Sequence, residues 1–83
     1  MRILYFAWLR ERLGKADEDL VLPAEIDTPG ALVDWLCGLA PLYTAAFADR
    51  ASIRCAIDQE FCSFEDSLRG ASEIAFFPPV TGG

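Results

Sequence analysis

Few residues of this 83-residue chain carry reactive chemistry. It ends Val80-Thr81-Gly82-Gly83, places thiols at Cys37, Cys55 and Cys62, carries an acidic run at Asp17-Glu18-Asp19, and has no histidine. Without the commonest general base and the commonest transition-metal ligand, it is a poor candidate for an enzyme acting on its own. The cysteines are odd in number and lack C-x-x-C spacing, so they predict neither a disulfide framework nor a thiolate zinc centre, and no metal site is expected. They read as reduced thiols acting as small hydrophobes, with a redox or transfer thiol as the alternative. The acidic run reads as a solvated loop. That leaves the terminus. Paired glycines expose backbone with no Cβ, so they can pass through a narrow slot and present an open carboxylate. The reactive atom would be the carboxyl carbon of Gly83, and the alternative is a frayed end without function.

The elements that would position this terminus follow from the patterning. "EIAFFPP" predicts a strand over Glu73 to Phe77, with Ile74 and Phe76 on one face and Ala75 and Phe77 on the other. Pro78 and Pro79 then end ladder pairing and favour an extended spacer. The last four residues, at about 3.3 Å each, would reach roughly 13 Å beyond the domain. The expectation is therefore one domain over residues 1–79 and a flexible Gly-Gly tail over 80–83. A chain this short supports one modest core, and a second domain is excluded.

Upstream, "RILYFAW" predicts a strand over Arg2 to Trp8, "LRERLG" a helical turn or two stopped by Gly14, and "EDLVLP" a second strand over Glu18 to Pro23. The clearest helix is "TPGALVDWLCGLAP": Thr28 caps, Pro29 fits the first position, and Leu32, Trp35, Leu36 and Leu39 form the apolar face. Pro41 ends it, and "LYTAAFADR" adds a further turn or two. "SIRCAIDQEFCSF" alternates as a hairpin turning at Asp58-Gln59-Glu60 and returning over Phe61 to Ser63. The order β, β, helix, β, β, β implies an α+β domain of the β-grasp kind, with a mixed sheet of four to five strands packed on one main helix.

Bulk composition narrows the function classes. The hydrophobic fraction is 53%, high enough to fill a core and leave apolar surface for a partner. The formal net charge of −6 argues against nucleic acid and against an anionic membrane surface, both of which call for clustered cations. No run approaches the roughly 20 apolar residues of a membrane span, and the apolar start is followed by charge, so a cytoplasmic protein is expected.

Several segments together resemble a known family. "ILYFAWLRERLG", "TPGALVDWL", "AIDQEFCSF" and above all "EIAFFPPVTGG" are similar to the small, sulfur-carrier subunit of molybdopterin synthase, the MoaD type of ubiquitin-like protein. The resemblance covers nearly the whole chain, and Phe-Phe-Pro-Pro-Val before Gly-Gly points to this branch rather than to the thiazole carriers. It implies a ubiquitin-like β-grasp fold and a non-catalytic subunit within a sulfurtransferase complex. It also implies that an adenylyltransferase resembling ubiquitin-activating enzymes uses ATP to form an acyl-adenylate on Gly83. A persulfide donor then yields a thiocarboxylate, whose sulfur passes to cyclic pyranopterin monophosphate inside the large subunit. No tightly bound cofactor is implied.

By the same resemblance Gly82 clears the path of Gly83, and Val80 and Thr81 lie in the partner's channel. Phe77, Phe61 and Phe6 match partner-facing positions, each also readable as core. Arg10 matches a strand-end arginine that contacts the activating enzyme, and is also readable as a solvated surface residue. The chain departs from the family at "RGASE", Arg69 to Glu73, where Asp-Gly-Asp is usual, and at Asp58, where Asn is usual. A ubiquitin-like protein modifier and an interaction module with an inert tail remain as competing readings.

Overall fold

A computed structural model of the chain describes residues 1–79. Its first strand, β1 (Arg2–Tyr5), ends earlier than the apolar run, because Ala7 takes φ 54° and Trp8 opens a short helix, α1 (Trp8–Leu13). Gly14 closes α1 in the left-handed conformation at φ 74°, donating its backbone N–H to the Arg10 carbonyl. The chain then returns as β2 (Asp17–Asp19), antiparallel to β1 in the register Arg2↔Asp19, Ile3↔Glu18, Leu4↔Asp17. This corrects the expected strand over Glu18 to Pro23. The partner strand runs out at Met1, whose carbonyl accepts from Leu20 N at 3.0 Å. The Leu20 carbonyl also accepts from the Met1 N-terminus at 2.9 Å; beyond this last pair, Leu22 packs against the core without a ladder.

The main helix α2 (Pro29–Leu39) begins as expected, with Thr28 Oγ1 accepting from Ala31 N at 3.1 Å and Pro29 in the first turn. Its buried face is Leu32, Val33 and Leu36 together with Pro29. Leu39, expected on that face, is 49% exposed: it is the last residue of α2, where Ala40 leaves helical geometry and the chain turns into α3 (Pro41–Ala46). A single 3-10 turn, Arg50–Ser52, leads into β3 (Arg54–Ile57), β4 (Glu60–Cys62) and finally β5 (Glu73–Phe77).

These strands form one five-stranded sheet in the order β2-β1-β5-β3-β4, with β5 parallel to β1 and antiparallel to β3. Because side chains alternate across a strand, one face is set by Ile3, Tyr5, Cys55, Ile74 and Phe76, all at most 1% exposed, and α2 covers it. Phe47, just after α3, packs edge-on against Phe76 with ring centroids 5.3 Å apart. A mixed sheet wrapped on one principal helix is the ubiquitin-like β-grasp architecture, as the element order predicted.

Candidate functional site

The face of the sheet turned away from α2 is also apolar. The registers place Leu4 beside Ala75, Ala75 beside Ala56 and Ala56 beside Phe61, so one row crosses β1, β5, β3 and β4. Two alanines in the middle make the row low at its centre. Phe61 stands at one end, 84% exposed; Phe6 and Phe77 rise beside it, and Phe6 is 46% exposed. The rings of Phe61 and Phe77 lie 5.7 Å apart at 54°. The result is a shallow trough lined by Leu4, Phe6, Ala56, Phe61, Ala75 and Phe77. Large aromatics left on a surface around a small-residue floor are the arrangement expected of a docking face, since water must be ordered over them until another surface covers them.

Two turns present this trough. Phe6 continues the β1–β5 ladder by donating its N–H to the Phe76 carbonyl at 3.1 Å, and the chain then leaves the sheet abruptly at Ala7, φ 54° and ψ −131°. That conformation is costly for a residue with a Cβ. Phe61 is held by the β3–β4 hairpin, where Asp58 and Gln59 take φ 47° and 72° between the paired Ile57 and Glu60. Positive φ at both central residues is the tight two-residue turn whose twist matches the strands. Asp58 suits it: its Oδ1 accepts from Ser72 N at 3.0 Å and Glu73 N at 2.9 Å, tying the hairpin to the start of β5. The departure from the family at Asp58 and that at Arg69 to Glu73 are thus in direct contact.

Pro78 borders the trough, so the chain leaves β5 for its last residues at the rim of this face. The expected tail residues Val80, Thr81, Gly82 and Gly83 lie outside the described residues. Phe77, Phe61 and Phe6 are brought together as a group. Arg10 is placed differently from the expectation: it sits inside α1, exposed, rather than at a strand end, and it does not line the trough. Leu4, Ala56 and Ala75 were missed as site residues. Their apolar alternation was visible, but which of two apolar faces a helix covers depends on pairing that no single segment encodes.

Glu18 also differs from its solvated-loop reading. On β2 its Oε2 accepts from Tyr5 Oη at 2.7 Å and Tyr43 Oη at 2.6 Å, and its Oε1 accepts from Lys15 Nζ at 2.8 Å. Lys15 Nζ also donates to Tyr43 Oη at 2.8 Å. Partial burial pushes the carboxyl up, but the hydrogen bonds from Lys15, Tyr43 and Tyr5 outweigh it and leave the group below its ordinary range. Burial, reinforced by Glu18, pushes the Tyr5 phenol up. The network joins β1, β2 and α3 on the core side of the sheet, which makes it a structural clasp rather than a reactive centre.

Comparison with known proteins agrees with the geometry. Residues 3–83 match the model of the ThiS family. The molybdopterin synthase sulfur carrier subunit of Escherichia coli is 32% identical over the full length of this chain and 99% of its own. The protein of that name from Haemophilus influenzae is 31% identical over the same shares, and that from Mycosarcoma maydis is 30% identical over 100% of this chain and 92% of its own. Among solved structures, the small archaeal modifier protein 1 of Haloferax volcanii superposes with a TM-score of 0.75 at 26% identity, over 96% of this chain and 97% of the other. A protein of Pyrococcus furiosus described as a putative molybdopterin converting factor subunit 1 shares the fold, with a TM-score of 0.73 over 95% of each chain at 22% identity. The three curated relatives carry the molybdopterin synthase name to which the C-terminal string pointed, and the matching family model is broader: this chain belongs to the ThiS family of small ubiquitin-like β-grasp proteins.

Proposed function

We propose that the chain is the sulfur-carrier subunit of a molybdopterin synthase, with Gly83 as its reactive residue. The observation that carries this reading is that a family match running to Gly83 coincides with an apolar trough whose rim, Pro78, is where the chain departs for that residue. A partner seated on Phe61, Phe77 and Phe6 would have the tail beside it, with Val80 and Thr81 in its channel and Gly82 giving clearance. That partner is the large subunit, and an adenylyltransferase is the second protein to use the terminus, with Arg10 contacting it.

The chemistry requires activation. A carboxylate resists nucleophiles, so ATP converts the Gly83 carboxylate to an acyl-adenylate with release of pyrophosphate. The outer sulfur of a persulfide donor then displaces AMP to give an acyl disulfide, and a thiol cleaves that S–S bond, freeing the thiocarboxylate and leaving the donor sulfur in a disulfide. The thiocarboxylate so formed gives its sulfur to cyclic pyranopterin monophosphate. The test is intact mass after incubation with an activating enzyme of this type, ATP and a sulfur source. The expected product has one oxygen replaced by sulfur at the C-terminus, and deletion of Gly83 abolishes it. An unchanged mass, under conditions that charge a known carrier, would sink the proposal.

A second reading rests on the likeness to the archaeal modifier, also covered almost end to end. As a protein modifier, the chain would form isopeptide bonds between Gly83 and target lysines. Peptides bearing a C-terminal remnant on lysine, found in extracts of cells expressing the protein, would favour it over the carrier reading; their absence alongside a thiocarboxylate favours the carrier.

A further inference from the structure

Cys55 and Cys62 are seven residues apart in sequence and directly opposite in space, paired across β3 and β4, with Sγ atoms 3.2 Å apart. Opposed residues of an antiparallel ladder have Cα atoms about 4.5–5.5 Å apart, inside the ~4.4–6.8 Å that a disulfide spans. Sulfur atoms in contact on a fixed ladder have already lost the freedom that a bimolecular reaction must remove. The two thiols are otherwise unlike. Cys55 is buried, and burial followed by its contact with Cys62 pushes its thiol up. Cys62 is half-buried and borders two surface depressions, one shared with Arg54, Cys55 and Phe77 and the other with Asp58, Glu60 and Asp66. A reagent from solvent therefore meets Cys62 first, in surroundings that carry Asp58, Glu60 and Asp66 as well as Arg54. Cys37 lies apart on α2, its thiol directed at the Tyr43 carbonyl at 3.8 Å.

We propose that Cys62 is a modification site for small disulfides of the glutathione class, and that Cys55 resolves the adduct into a cross-strand disulfide. The Cys62 thiolate attacks one sulfur of the reagent, forming a mixed disulfide and expelling one thiolate. Cys55 then loses its proton to solvent as its sulfur attacks Cys62 Sγ, and the second reagent thiolate leaves. Two protein thiols are oxidised by two electrons while the reagent disulfide is reduced to two thiols. The product ties the edge strand β4 to β3 next to Phe61, so the oxidation state fixes how firmly the aromatic end of the docking trough is held.

The full-length reduced protein, without denaturant, is incubated near neutral pH in a mixture of oxidised and reduced glutathione, quenched in acid and digested. Trypsin releases Cys55 to Arg69 as one peptide, and cutting after Glu60 separates its cysteines unless they are joined. The expected result is a pair of fragments that stay linked until reduced, with the glutathione adduct at less than about a tenth of the linked form. Cys55→Ala should stop at an adduct on Cys62, and Cys62→Ser should give neither product. Slowed hydrogen exchange at β4 in the oxidised protein is the accompanying readout. A stable adduct on Cys62 in the unmutated protein, modification confined to Cys37, or linkage that forms only in urea would each overturn the proposal. Because the unmutated protein decides the matter, misfolding of a variant does not leave it open.

Discussion

Truncating Phe61 to alanine separates docking from folding. A phenylalanine side chain has about 200 Å² to bury. With the residue 84% exposed, roughly 170 Å² of ring remains for a partner to cover, worth at most about 4 kcal/mol at ~25 cal/mol per Å². Association also costs ordering of the interface, so the measurable loss is smaller; a central aromatic anchor typically forfeits about 2 kcal/mol or more. The expected effect is a Kd for the large subunit raised at least about 30-fold. In the free protein Phe61 loses chiefly its contact with Phe77, and an exposed aromatic pair is worth about 1 kcal/mol or less. The corresponding fall in Tm is at most about 8 °C. Calorimetric titration with the large subunit and thermal unfolding of the free protein supply both numbers. A Kd unchanged within threefold would refute the assignment of this face. A collapse in stability would refute the packing argument, because it would mean that a ring this exposed carries the fold. Phe77→Ala is the internal contrast: Phe77 is half-buried, so it should lose binding and stability together.

Other perturbations follow from the same structure. Glu18→Gln should lower stability at neutral pH by about 2–3 kcal/mol, since hydrogen bonds to a charged acceptor are lost from a group 14% exposed. Because the folded carboxyl titrates below its ordinary 4.5, its contribution is present above that pH and disappears as pH falls through the folded value. Urea midpoints of the two proteins should therefore converge in acid; a constant difference would mean that Glu18 acts through packing. Lys15 and Tyr5 are both raised, from 10.5 and 10.0, so the parent protein should weaken as pH climbs past 10, and Tyr5→Phe should shrink that alkaline loss. Gln59→Gly should stabilise by about 1 kcal/mol, because a left-handed non-glycine residue costs about 1–2 kcal/mol and glycine returns part of that as chain entropy. An unchanged or lower Tm would argue against the positive φ at Gln59.

How much of this was legible in the sequence depends on the range of the interactions involved. The capped start of α2 at Thr28-Pro29 and the left-handed stop at Gly14 are local, governed by residues within one turn, and both stand as predicted. So does the strand β5, a short apolar run bounded by Glu73 and by Pro78, which ends the ladder. The failures are non-local. Nothing in "ADEDLVLP" says that the strand is the acidic half rather than the apolar half. That is decided by where β1 begins and by two tyrosines, Tyr5 and Tyr43, that meet Glu18 from 13 and 25 residues away. The trough was half legible for the same reason: Phe77 and Phe61 stand out as aromatics, whereas Ala56 and Ala75 acquire meaning only when the register sets them side by side beneath the rings. Cys55 and Cys62 are the sharpest instance. Their spacing matches no thiol motif, yet a two-residue turn at Asp58-Gln59 fixes Ile57 against Glu60 and hence, two steps down the ladder, one sulfur against the other. The turn also sets which face Phe61 occupies, since a slip of one residue would swing it onto the core side and bring Cys62 out. Docking face and thiol pair are therefore not independent features. Both depend on two residues held at positive φ, and a substitution that shifted that turn would be expected to alter partner affinity and thiol reactivity together.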